Sequence, residues 1–276
     1  MENTAAEVRA RPQDLLLALG GALVLDRYEQ PLPTRVFLDA LRPLGVSDDA
    51  VRSTLTRLTE RNLLTRHQDG RVASYGLTDR SHRLLREGRE RVEATEPFHQ
   101  PSSDWTLLSF SLPETHRDVR NRLRSRLAWA GFGCLRDGLW IAPGRVDVDR
   151  IVDVRAEVEG TLQIDGFVAT PTADTDVARF VRRAWDLDAL RREHEEFIRR
   201  WSGPAPQGLD PVALFTLHGA DWIRLLRQDP VLPGQHLGED WPAPRSADVH
   251  RAVVAGIEAS AHAAFADLVA DARARR

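Results

Sequence analysis

The pattern of hydrophobic and polar positions predicts two buried helices at the start of the chain. The apolar run Leu15–Leu25 is shorter than the roughly 20 residues of a membrane helix. No small-x-small cleavage site follows it, so we interpret it as a buried helix and not as a signal peptide. Helical spacing of apolar residues from Pro33 onward predicts a second helix, which Pro43–Gly45 closes.

A third helix is predicted over Asp48–Glu60, with Ser47 as its N-cap. Its apolar residues recur at i, i+4 and i+7 and so form a stripe along one face of the helix. These residues are Val51, Leu55 and Leu58. The opposite side carries arginines and short hydroxyl side chains: Arg52, Ser53, Thr56 and Arg57.

Two short strands and a fourth helix complete the first block. The strands are predicted at Leu63–Arg66 and Arg71–Leu77, because the Asp69-Gly70 pair between them is a strong hairpin signal. Thr78 then caps a basic helix that runs to about Val92. This order of elements is that of a winged helix-turn-helix.

The second block predicts a ferredoxin-like domain. A strand at Trp105–Ser111 precedes a helix with apolar residues at i, i+4 and i+8, and Gly131–Gly133 ends that helix. A strand pair is predicted around Asp137-Gly138, and a further strand at Thr161–Ala169. Between them we interpret Asp149 to Val158 as a helix, although its β-branched residues leave that assignment ambiguous. The order βαββαβ is typical of the ferredoxin-like fold.

From Ala173 onward the pattern is helical, with a proline-rich loop at Pro230–Pro244. Proline and small polar residues mark linkers at 97–104 and 202–208. We therefore predict an α+β protein with a DNA-binding domain over 1–97, a ferredoxin-like domain over 104–172 and a helical domain over 173–276.

Charge is informative only when it is divided by region. The chain has 276 residues, and all 38 basic residues are arginine against 41 acids, for a net charge of -3. Between Arg52 and Arg91, however, ten arginines face five acids, a local excess of +5. Positive charge is concentrated where the predicted elements would meet DNA phosphates.

The third helix has the chemistry of a helix that reads the major groove. Arginine offers a two-pronged donor to guanine, and hydroxyls reach phosphates or base edges. We therefore predict a DNA-binding site whose wing residue, Arg71, touches the backbone or the minor groove. The predicted DNA-binding residues are Arg52, Ser53, Thr56, Arg57 and Arg71. A solvated helix face and hairpin tip are the alternatives.

A second arginine cluster lies on the helix of the middle domain. Its members are Arg117, Arg120, Arg122, Arg124 and Arg126, against Asp118 alone. A solvated helix face is one interpretation, and a site for a phosphate-bearing effector or the DNA backbone is the other. We expect Trp105, Trp129 and Trp140 to form core, with an apolar ligand pocket as the alternative.

Nothing in the sequence favours an enzyme, a metal or a cofactor. Dinucleotide, Walker, zincin and nucleophile-elbow motifs do not occur. The single cysteine, Cys134, is expected to pack in the interior, and His194 to be a packing or surface residue. The enzymatic alternative is a metal-dependent nuclease that uses Asp104, just before the first strand of the ferredoxin-like domain. A protein-interaction module that does not bind DNA is a third possibility.

The chain resembles the PaaX-like family of bacterial transcriptional regulators, the phenylacetate-catabolism repressors, over nearly its whole length. The resemblance is carried by spaced motifs: residues 46–58, Tyr75–Thr78, Trp105–Leu107 with Pro113-Glu114, Leu127–Gly133, Gly138–Pro143, Ala184–Leu187, Asp229–Pro233 and Asp240–Pro242.

The resemblance implies a homodimeric repressor of a catabolic operon, and the single cysteine, which excludes a disulfide framework, predicts the cytoplasm as its compartment. In that family an aryl-acyl-CoA thioester, typically phenylacetyl-CoA, releases the protein from its double-stranded operator. No short motif marks the effector pocket, so no effector-binding residue is assigned, and no membrane partner is expected.

Overall fold

The computed structural model describes residues 10–70, 72–148 and 162–275, and within them the chain is a mixture of helices and two small antiparallel sheets. The helices are α1 Pro12–Leu19, α2 Thr34–Leu41, α3 Asp48–Glu60, α4 Asp79–Val92, α5 Arg117–Trp129, α6 Val177–Ala184, α7 Leu187–Trp201, α8 Pro211–Gln228 and α9 Ala243–Ala274. The strands are β1 Leu32–Pro33, β2 Leu64–Asp69, β3 Val72–Leu77, β4 Trp105–Ser111, β5 Gly133–Arg136, β6 Leu139–Pro143 and β7 Gln163–Ala169.

The chain divides into two compact units. The first unit consists of Met1–Thr95, Phe197–Arg224 and Ala247–Arg276, and the second of Glu96–Glu196 and Leu225–Ser246. The domain boundaries drawn from the sequence stay a prediction.

The first unit begins with the predicted helix–helix–helix–hairpin–helix order. The apolar run forms α1 and a π-helical turn over Gly20–Val24, and Leu15, Leu19 and Leu23 are fully buried, as expected. Thr78 caps α4 by accepting a hydrogen bond from the Ser81 backbone amide at 3.1 Å. The sequence missed one element, because β1 pairs antiparallel with β3 and turns the two-stranded ribbon into a sheet of order β1-β3-β2.

Helix α4 is anchored by two of its arginines to a carboxylate near the end of the first apolar run. The Asp26 oxygens lie 2.6 Å from Arg86 Nη2 and 3.0 Å from Arg89 Nη1. The hydrogen bond from Arg86 holds the pKa of the Asp26 carboxyl below its ordinary value. Two arginines of the positive stretch 52–91 are therefore engaged in ion pairs within the first unit.

The sheet of the second unit has the strand order of a ferredoxin-like fold. The order is β5-β6-β4-β7 with all neighbours antiparallel, and α5 connects β4 to β5. The expected helix at Asp149–Val158 lies outside the described residues. Helix α5 begins at Arg117, after a 3-10 turn at Glu114–His116, and so starts a little later than Pro113-Glu114 suggested.

Each face of this sheet carries its own core. On one face α5 packs Val119, Leu123 and Leu127 against Leu108 and Phe110. On the other, Trp105 and Ile141 pack with Val181 of α6 and with Leu232. Alternation along β4 sends successive side chains to opposite faces, which explains why one strand supplies both cores.

Gly133 at the start of β5 permits a close approach to the end of α6. A Cβ atom there would lie 2.6 Å from the Trp185 ring and 2.8 Å from Ala184. The Trp185 indole also donates to the Gly131 carbonyl at 3.3 Å. Two of the motifs that carry the family resemblance therefore meet at this point.

The C-terminal part is helical, as expected, and α6 and α7 are separate helices with the break at Trp185–Asp186. The Asp186 carboxylate accepts from the Ala189 amide at 2.9 Å. Within the described residues, α9 is the helix that is long and apolar enough to cross a membrane, a criterion that core helices of soluble proteins also meet. The absence of a membrane partner stays a prediction.

Candidate nucleic-acid interface

Helix α3 has the predicted bounds, and its two sides differ as the sequence indicated. The Ser47 hydroxyl accepts from the Ala50 amide at 3.3 Å and so caps the helix. Val51 and Leu55 are fully buried and Leu58 almost so. The four predicted DNA-binding residues on the other side are all exposed.

Local hydrogen bonds organise the exposed side of α3. The Ser53 hydroxyl donates to the Ala50 carbonyl at 3.2 Å, and the Thr56 hydroxyl to the Arg52 carbonyl at 3.1 Å. The Arg57 guanidinium donates to Thr54 Oγ1, a neutral group, at 3.0 Å. These bonds hold the side chains close to the helix. The partner of Arg57 in this bond is a neutral hydroxyl, so the bond leaves the positive charge of the guanidinium in place.

The hairpin that follows α3 is longer than predicted on its first strand. Strand β2 runs to Asp69, which pairs with Val72 of β3, and Gly70 has a positive φ of 56° that suits a tight turn. Arg71 lies outside the described residues, so its predicted contact stays a prediction. The longer strand adds Gln68, whose side-chain carbonyl accepts a 3.1 Å hydrogen bond from the Arg66 guanidinium, to the exposed surface of the hairpin.

The arginines of α5 fall into two groups. Arg120 pairs with Glu114 at 2.8 Å, and Arg124 pairs with Asp137 at 3.3 Å and stacks over the Trp140 ring at 5.8 Å. The charges of these two arginines are therefore partly neutralised within the second unit. Arg117, Arg122 and Arg126 are exposed.

The expectation that three tryptophans form core is wrong for one of them. Trp105 and Trp140 are buried in the two cores of the sheet, but Trp129 at the end of α5 is 76% exposed. The apolar stripe of α5 is complete with Val119, Leu123 and Leu127, which leaves Trp129 on the solvent side of the helix.

The residue on which a nuclease would depend is already engaged. The Asp104 carboxylate lies 3.0 Å from Arg145 Nε and accepts from the Thr170 hydroxyl at 3.3 Å. In the described ranges no group of three or more His, Cys, Asp and Glu side chains could hold a metal ion. The absence of enzymatic activity stays a prediction.

His194 is a packing residue, as expected, but it also forms a buried polar centre in the second unit. Its Nε2 lies 2.7 Å from Asp229 Oδ2 and its Nδ1 lies 2.9 Å from Ser246 Oγ. All three side chains are buried, which denies a substrate access to the serine. This His194–Asp229–Ser246 centre joins three parts of the chain, namely α7, α9 and the segment that follows α8. Its members are far apart in the sequence, so no local spacing could have predicted it.

A second histidine site lies in the first unit, where His218 is buried and His250 half-buried. His218 of α8 and His250 of α9 share a 2.9 Å hydrogen bond, and the Trp222 ring stacks on His250 at 4.1 Å. Burial holds the pKa of both imidazoles below the ordinary value, to about 4 for His250. Among the described residues His218 Nδ1 finds no hydrogen-bond partner.

Comparison with known proteins places these features in a family. Residues 15–81 match a model described as PaaX-like protein, residues 99–181 the PaaX protein central Cas2-like domain, and residues 185–267 the PaaX-like protein C-terminal domain. No curated protein matches the chain.

One similar solved structure is that of an uncharacterised protein from Mycobacterium tuberculosis, which shares 22% identity. The match has a TM-score of 0.58 and covers 96% of this chain and 99% of the other. At that identity the likeness concerns the fold alone. Because the three family models together take in most of the residues, the chain belongs to the PaaX-like family of transcriptional regulators.

Proposed function

We propose that the protein is a homodimeric, sequence-specific DNA-binding repressor in the cytoplasm. Helix α3 enters the major groove, where Arg52, Ser53, Thr56 and Arg57 contact bases and phosphates. The β2–β3 hairpin acts as the wing, and Arg71 touches the adjacent groove or backbone.

The observation that carries this proposal is the two-sided character of α3. One side is fixed in the interior by Val51 and Leu55, which are fully buried, while two arginines and two hydroxyls are presented on the other. A reading helix needs both properties, because its side chains must be held in register with the base pairs.

Dimerisation and the effector complete the proposal. Two reading helices related by a two-fold axis would contact half-sites about one helical turn apart, roughly 34 Å. The effector is an aryl-acyl-CoA thioester such as phenylacetyl-CoA, which the membership of the PaaX-like family supports. No residue of the described chain is assigned to the effector.

A gel-shift titration on the DNA upstream of the regulated genes tests the proposal. Arg57→Ala is expected to lose about 1 to 3 kcal/mol of binding free energy if that arginine reads a base. Arg273→Ala, an exposed arginine on α9 of the same unit, is the matched control and should bind as the wild type does. Equal affinity of Arg57→Ala and wild type would remove Arg57 from the interface.

The same titration tests the effector. Addition of phenylacetyl-CoA is expected to release the DNA, whereas free phenylacetate and free coenzyme A at the same concentration should leave the complex intact. If every thioester tried leaves the DNA bound, an acyl-CoA effector is excluded while the DNA-binding part of the proposal stands.

A further inference from the structure

Trp129 is an exposed aromatic side chain that neither the fold nor the proposed duplex site uses. It is 76% exposed, more than Leu84, Phe167 and Val168, the other large hydrophobic side chains that stand out from the described surface. Removing a large apolar side chain from water is favourable, so a partner that covers this indole would gain binding free energy.

The surroundings of Trp129 on α5 are positively charged. Arg126 lies one helical turn before it and is exposed. Asp118 is the one acid among the thirteen residues of α5. A partner that carries negative charge and can stack on an indole ring would therefore suit this position.

Two partners fit this face poorly. A second copy of the chain docking through the same helix would set arginines against arginines, which costs affinity. A free nucleotide is normally held in a concave pocket that buries most of its surface, whereas the outer side of a helix is convex.

A nucleic-acid strand fits both properties. It supplies phosphates for arginines along its length and a base for each exposed ring, and many weak contacts add up. The strand must be single, because the base faces of a duplex are already stacked on one another.

We propose that the outer face of α5 binds single-stranded nucleic acid. One base stacks on the Trp129 indole, and the neighbouring phosphate binds the Arg126 guanidinium. This site is distinct from the duplex site proposed on α3, since it lies in the other compact unit.

The experiment uses the full chain and a fluorescein-labelled fifteen-nucleotide oligodeoxythymidylate, with fluorescence anisotropy at low salt. Trp129→Ala is expected to weaken binding about tenfold, within the range found for loss of one base-stacking ring, and Trp129→Phe to keep most of the affinity. Arg126→Ala should reduce the slope of log affinity against log salt concentration by about 0.7, the value for one phosphate contact on a single strand.

Two control variants separate this site from other surfaces. Phe167→Ala removes another exposed aromatic ring from the same unit, 60% exposed, and should bind the oligonucleotide as the wild type does. Arg52→Ala combined with Arg57→Ala should keep the oligonucleotide affinity while losing duplex affinity. The two proposals can therefore fail independently. Loss of duplex binding by α3 would not affect the single-strand result, and loss of single-strand binding by α5 would not affect the duplex result.

Three outcomes would overturn the inference. The first is a wild-type protein that does not bind the oligonucleotide at low salt. The second is an affinity of Trp129→Ala equal to that of the wild type. The third is equal competition by duplex DNA of unrelated sequence at the same phosphate concentration, which would show that the bases play no part.

Discussion

Helices α3 and α5 have the same length and the same kind of buried stripe, yet they use their arginines differently. Each has 13 residues, and each buries three aliphatic side chains at helical spacing: Val51, Leu55 and Leu58 in α3, and Val119, Leu123 and Leu127 in α5. In α5, Glu114 and Asp137 bind two of the arginines. In α3, Arg57 binds a hydroxyl of its own helix.

The difference lies outside the helices themselves. Glu114 and Asp137 come from the segments before and after α5, so the arginine count of α5 alone overstates the charge that it offers to a ligand. A basic helix is therefore best judged by the carboxylates that surround it in the fold. The two surfaces that we propose for polyanions are accordingly limited to the exposed side of α3 around Arg57 and the C-terminal end of α5 around Arg126.

The largest expected effect is on the free energy of unfolding, and it concerns the buried aliphatic stripe that α3 and α5 share. Leu55→Ala and Leu123→Ala should each lower the free energy of unfolding by about 2 to 5 kcal/mol, because both leucines are fully buried and a cavity would remain. Urea unfolding followed by circular dichroism measures this. Leu84→Ala, at a side chain 49% exposed, is the control and should change stability by no more than about 0.5 kcal/mol. A small loss at Leu123 alone would show that the two stripes are not equivalent.

A smaller effect should distinguish the unit that contains α3. Burial lowers the pKa of His218 and His250 in the folded protein. As the pH falls below about 6.5, these histidines are therefore protonated in the unfolded chain before they are protonated in the folded chain. Stability is then complete above the unfolded value of about 6.5 and falls as the pH drops toward about 4 for His250. That residue alone should contribute a loss of about 2 kcal/mol between pH 7 and pH 5.

Urea unfolding at the two pH values measures this loss. His250→Phe should show a smaller dependence on pH, whereas His67→Ala, at an exposed histidine of the hairpin in the same unit, should keep the wild-type dependence. Identical pH dependence in the wild type and His250→Phe would contradict the role assigned to burial.

The smallest expected effect concerns the ion pairs that set α5 apart. Glu114→Gln and Asp137→Asn should each change the free energy of unfolding by no more than about 1 kcal/mol, because Glu114 and Asp137 are largely exposed and water screens both pairs. Asn also suits the Asp137-Gly138 turn. A loss above about 2 kcal/mol in urea unfolding would mean that these pairs hold α5 in place and do more than neutralise its charge.

The sequence predicted those elements whose signals are local. Helix α3 has a cap, an acidic first turn and an apolar stripe within thirteen residues, and its bounds agree with the structure. Strand β1 has two residues and exists only because β3 lies beside it, so no local pattern could have predicted it. Trp129 is exposed because Val119, Leu123 and Leu127 already form the buried side of α5, and Trp129 lies on another side of the helix.

The exposure of the candidate DNA-binding residues on α3 was predictable to a similar degree. The exposed side of α3 follows from helical periodicity, and the structure agrees with it at Arg52 and Arg57. The neutralisation of Arg124 was not predictable, because Asp137 lies 13 positions away and reaches it only after the turn into β6 has formed. Contacts of this kind are set by the tertiary fold.

The His194–Asp229–Ser246 centre gives the second unit a cross-link that needs no sulfur. It joins positions 35 and 52 residues apart in a chain with a single cysteine, which cannot form an internal disulfide. Such a link closes long stretches of chain onto one side chain, as a disulfide would, although hydrogen bonds are individually far weaker. Unlike a disulfide, it forms without an oxidant and is not opened by reducing agents.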